Sequence, residues 1–163
     1  MSFSKEIKIK IRSELYEVEA SMFSDDAPEE FFETEPAKDT PEADILEINS
    51  MGTLTDDGER ISISYNETEA TGMEGSVTCI SFLKSAPEIL TMTRDGLVSA
   101  TLVFEDGKRH HCIYKTPFMP FEVCVKTSKV LNDILTSGAL DLDYIVEIRG
   151  AKAERTKFKM QII

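Results

Sequence analysis

The stretch RHHCIYKTPFMPFEVCVKT, Arg109 to Thr127, carries two alternating segments joined by a connection that Pro117 and Pro120 bracket. Alternation with a period of two marks a strand with one buried face, and a short link between two such runs predicts an antiparallel pair. The apolar pattern selects a register. Ile113 then faces Val123 and His111 faces Val125, while Cys112 lies opposite Cys124 and His110 opposite Lys126 on the other surface. Successive strand side chains point to opposite faces, so the two histidines diverge. His111 is the one polar group sent inward.

The same pattern recurs on both sides of this pair. Ile7, Ile9 and Ile11 oppose Lys8, Lys10 and Arg12; Ile61, Ile63 and Tyr65 oppose Ser62 and Ser64; Val98, Ala100, Leu102 and Phe104 oppose Ser99, Thr101 and Val103. Toward the end, Leu140, Leu142, Tyr144, Val146 and Ile148 form one face, and Phe158, Met160 and Ile162 another. Val77 to Lys84 and Ile89 to Arg94 are strand-forming but less cleanly one-sided. Asp57-Gly58, Asp95-Gly96, Asp106-Gly107 and Ser137-Gly138 punctuate these runs, as tight hairpins require. Val130 to Thr136 is expected to make one helical turn at most, and there is no 20 to 50 residue repeat.

Consecutive antiparallel strands leave two open edges, and closing the sheet removes them. The expected fold is therefore all-β, an antiparallel up-and-down barrel of about eight to ten strands. If the first and last strands meet at closure, Lys8, Lys10 and Arg12 come near Lys157 and Lys159 in a basic stripe. At 163 residues with 41% hydrophobic content, one domain spanning 1–163 can bury its own core. The exception is residues 21–44. Nine acids against Lys38 between Asp25 and Asp44, with Pro28, Pro36 and Pro41, predict a mobile acidic loop that carries the adjacent aromatics Phe31 and Phe32.

Composition narrows function by exclusion. A net charge of -12 without a cluster of Lys or Arg argues against nucleic acid as a partner. Three cysteines, an odd number, and an N-terminus that alternates charge with isoleucine predict a cytoplasmic protein with free thiols. No segment approaches the roughly 20 apolar residues of a membrane-spanning helix, and membrane insertion is not expected. The motifs GxSxG, HExxH, GxxxxGK[ST] and the dinucleotide fingerprint are all missing, no cofactor is expected, and the balance leans away from an enzyme. His110, Cys112 and Cys124 could share a face, with ligand types that suit zinc, yet neither CxxC nor HxxxH spacing supports a metal. Glu67, Glu69 and Glu74 flank the Thr71–Gly75 turn, where they serve as loop solvation or as carboxylates at a barrel mouth.

ISISYNE (Ile61 to Glu67), TGMEGSVT (Thr71 to Thr78), FEDGKRH (Phe104 to His110), YKTPFMPFEVCVKT (Tyr114 to Thr127) and GALDLDYIVEI (Gly138 to Ile148) together resemble the YwiB-like family of small bacterial proteins. The resemblance implies a calycin-type, lipocalin-like barrel and brings no activity and no functional residue with it. Residues 21–44 depart from that compact pattern.

Three functional expectations follow. A non-enzymatic barrel would hold a small apolar or amphipathic ligand, lined by Tyr65, Met92, Phe104, His111, Val123 and Tyr144, residues that equally suit a filled core. A protein partner could dock on the acidic loop through Phe31 and Phe32. An enzyme would place His110 or Cys112 at the rim.

Overall fold

In a computed structural model, which describes residues 2–18, 44–68, 74–148 and 153–163, the chain forms ten strands and, among these residues, no helix. They are β1 (Phe3–Val18), β2 (Asp44–Asp56), β3 (Arg60–Asn66), β4 (Val77–Leu83), β5 (Ala86–Asp95), β6 (Ser99–Glu105), β7 (Arg109–Lys115), β8 (Pro120–Asp133), β9 (Ala139–Ile148) and β10 (Ala153–Ile162). Each pairs antiparallel with the next, and β1 pairs with β10, so the sheet closes as the up-and-down barrel expected. Phe31, Phe32 and nearly all of the acidic segment lie outside the described residues.

The alternations place the core. Ile7, Ile9 and Ile11 from β1, Ile61 and Ile63 from β3, Ile80 and Phe82 from β4, Leu90 and Met92 from β5, Leu140 and Leu142 from β9, and Phe158 and Met160 from β10 are all buried inside. The turns follow their chemistry. Gly107 has φ +75, which an L side chain rarely adopts, whereas a Cβ on Gly96 would run into Ser76, so there a close approach is what requires glycine. β8 stays extended to Asp133, and the expected helical turn shrinks to a tight loop whose Thr136, Ser137 and Gly138 N–H groups donate to the Asp133 carbonyl. A bulge between Thr127 and Lys129 switches the inward parity of β8 from Val123, Val125 and Thr127 to Val130, and Ile134 is buried just beyond the strand's end.

The β7–β8 register differs by one residue from the expected one. Thr116 closes a four-residue link: its Oγ1 accepts from the Phe118 and Met119 N–H groups and donates to the Met119 carbonyl. Lys115 therefore faces Pro120, and Cys112, not Ile113, meets Val123. A one-residue slip exchanges the two faces of a strand. Cys112 is buried, Ile113 is 57% exposed, and the His111 side chain is 70% exposed.

At closure Arg12 does face Lys159, but Glu14 faces Lys157 and Gln161 faces Lys10. The Arg12 guanidinium donates to Glu47 at 2.7 Å and to Glu14 at 3.1 Å. The basic stripe is thus interrupted by its own acids.

Candidate cavity at one mouth of the barrel

Among the described residues, the barrel is filled at one end only. Toward the β2–β3, β4–β5, β6–β7 and β8–β9 turns, the side chains of Ile61, Ile63, Ile80, Phe82, Leu90, Phe104, Leu140 and Met160 close the interior. Toward the other end lies a cavity of about 610 Å3, within the range of pockets that take small molecules.

Two walls of different chemistry line it. β1, β2, β9 and β10, contiguous through the closure, supply the mostly apolar wall of Ile11, Leu15, Leu46, Ile48, Val146, Ile148 and Phe158, with Ser13, Glu154 and Thr156 among them. Facing them, β3, β5 and β7 supply Tyr65, Arg94 and Tyr114, and Glu67 follows directly after β3. The second wall is ordered by register: Tyr65 pairs with Thr78, Thr78 with Arg94, Arg94 with Ala100 and Ala100 with Tyr114. Large and small residues alternate along this row, so Thr78 and Ala100 leave room for the Tyr, Arg and Tyr side chains beside them. Tyr144 enters from β9 and rests against Phe104 with ring centroids 4.5 Å apart.

The polar groups of this wall are unevenly satisfied. Glu67, 5% exposed, accepts from Thr78 Oγ1 at 2.6 Å, and its N–H donates to the Ser76 carbonyl. Glu154 lines the same cavity from an exposed position at the start of β10. Arg94 Nε is buried and, among the described residues, has no hydrogen-bond partner. Burial pushes the phenols of Tyr65, Tyr114 and Tyr144 above the ordinary tyrosine range, with Arg94 opposing the rise in each case. Near neutral pH the three therefore stay protonated and keep an O–H to donate.

Of the residues expected to line an interior site, Tyr65 and Tyr144 border the cavity, whereas Met92, Phe104 and Val123 sit in the packed core. His111 is outside, where its Nδ1 lies 3.1 Å from Glu122 in a shallow surface hollow shared with Cys124 and Glu147. Arg94 and Tyr114 were not singled out from sequence. Parity with Leu90 and Met92, and with Cys112, is the signal that could have found them.

The expected metal trio is divided by the same register. His110 and Cys112 share the inner face, while Cys124 pairs with His111 on the outer one. Among the described residues no three of His, Cys, Asp and Glu are arranged to hold a metal. His110 Nε2 meets Glu105 at 3.2 Å, but the Cys112 thiol reaches the His110 carbonyl, and burial pushes that thiol up, away from the nucleophilic thiolate.

Residues 32–160 match the family described as a domain of unknown function, DUF1934. No curated protein matches the chain. Among solved structures the chain is similar to the ywiB protein from Bacillus subtilis, with 13% sequence identity, a TM-score of 0.60, and coverage of 97% of this chain and 93% of that one. At this identity the likeness carries the fold.

Proposed function

The chain belongs to the DUF1934 family of domains of unknown function, and on that footing we propose that it is a binding protein which takes a small amphipathic molecule into the mouth-side cavity. One observation carries this: the ten strands enclose more interior than their side chains fill, and the unfilled part, about 610 Å3, is gathered at one end. Protein interiors otherwise close-pack, with few voids larger than a water molecule. An aliphatic wall facing a tyrosine and arginine wall accepts a molecule with one apolar and one polar side.

The other two expectations gain less support. A docking site at Phe31 and Phe32 falls outside the described residues, and the Cys112 thiol is directed at the His110 backbone carbonyl.

The test uses the neutral fluorophore N-phenyl-1-naphthylamine, whose emission rises on leaving water. Wild type is expected to bind it, and Val146→Trp, which places an indole in the cavity, is expected to weaken binding at least about tenfold while melting at or above the wild-type temperature. Ile148→Trp serves as a second plug should the first fail to fold. A wild type that does not bind the probe, or folded plugged variants that bind it as wild type does, would overturn the proposal.

A further inference from the structure

The cavity is lined by a cation with one buried donor that, among the described residues, has no hydrogen-bond partner. Burying a donor without a partner costs free energy that a bound acceptor recovers, and a charge-assisted hydrogen bond is roughly twice as strong as a neutral one. Arg94 Nε is in that condition. Two strands away on either side in the row, Tyr65 and Tyr114 line the same cavity, and Tyr144 adds a third phenol.

We infer that the ligand is a monoanionic amphipath, with a carboxylate-type oxyanion on Arg94 within the tyrosine wall and an apolar body against β1, β2, β9 and β10. This rests on the binding role proposed above and assigns the ligand its charge. Two acids also line the cavity, and their positions decide the sign. Glu67 is engaged by Thr78 at 2.6 Å, and Glu154 is at the exposed start of β10. Among the described residues neither forms an ion pair with Arg94, and the row Tyr65–Thr78–Arg94–Ala100–Tyr114 contains no acid. The protonated phenols deepen the preference, because all can donate to an anionic oxygen.

Competition against N-phenyl-1-naphthylamine by three ligands with the same ten-carbon chain separates the possibilities: decanoate, decan-1-ol and decyltrimethylammonium. Wild type is expected to prefer decanoate over decan-1-ol at least about tenfold, a factor worth about 1.4 kcal/mol. Arg94→Gln should abolish the preference for decanoate over decan-1-ol, and Arg94→Lys should restore part of it. Equal or tighter binding of the alcohol or the ammonium, or an Arg94→Gln variant that still prefers decanoate, overturns the inference. Each of those results leaves the binding cavity standing. Failure of all three ligands and of the fluorophore removes the cavity proposal and this inference together.

Discussion

The two ends of the barrel use the same strands for different work, and β9 shows the change within eight residues. Leu140 and Leu142 are fully enclosed among Phe104, Met160 and their neighbours, whereas Val146 and Ile148, of the same parity and similar chemistry, border open space. Strand propensity does not distinguish them. What differs is who stands opposite: apolar side chains from β3, β4, β5, β6 and β10 fill the closed end, and the mouth row alternates large residues with Thr78 and Ala100. Emptiness here is a property of the partners, created by small residues beside large ones.

The largest expected effect breaks or upholds that contrast along one strand. Leu142→Ala should cost about 2–5 kcal/mol, since it removes a close-packed side chain and leaves a void. Val146→Ala should cost about 1 kcal/mol or less, because part of its surface already faces the cavity. Urea unfolding with unchanged m-values measures both. Equal costs would mean that the mouth packs shut in solution and that the contrast is an artefact of a single conformation.

A smaller effect sharpens the chemical side of the comparison. Tyr65, Tyr114 and Tyr144 border the open end, yet burial raises the pKa of each. An acid whose folded pKa lies above its unfolded value contributes stability that is complete below the unfolded pKa, about 10 for tyrosine, and is lost as pH rises beyond it. Tyrosinate absorbance near 295 nm is therefore expected to stay low at pH 10 and to rise together with loss of the near-ultraviolet circular dichroism signal. Tyr16, on the outer surface beside Glu14, is also raised, so Tyr16→Phe removes its contribution. Phenols that titrate near pH 10 in a folded barrel would show the mouth to be wetter than its geometry implies.

How far the sequence reveals this arrangement depends on how local each determinant is. β1, β9 and β10 announce themselves because each buries one face along its own length, and the hairpin turns are written in neighbouring residues. The closed ring follows from counting such strands. The cavity does not, since it depends on volumes contributed by strands distant in the chain. Arg94 is hidden for a related reason: an arginine one residue before the end of β5, beside Asp95, looks like a solvated strand end until the register sets it between Thr78 and Ala100. Glu67 is intermediate: the sequence favours loop solvation, with a mouth carboxylate as the alternative, and the side chain lines the cavity and accepts from Thr78.

His111 is the sharpest case, because the apolar pattern alone sends it inward. Two faces compete on β7: His111 with Ile113, or Cys112 with Tyr114. Side-chain hydrophobicity favours the first, but the Thr116 hydrogen bonds fix the link at four residues, and that length selects the second. The inner position opposite Ala100 is thereby given to Tyr114, completing the row that holds Arg94, at the cost of leaving Ile113 in water. His111→Ala then removes only an exposed contact with Glu122, expected to matter by less than about 0.5 kcal/mol and to leave fluorophore binding unchanged. A destabilisation of several kcal/mol, or loss of binding, would mean that β7 sits one residue away in solution. The tyrosine and arginine row would then be broken at Tyr114.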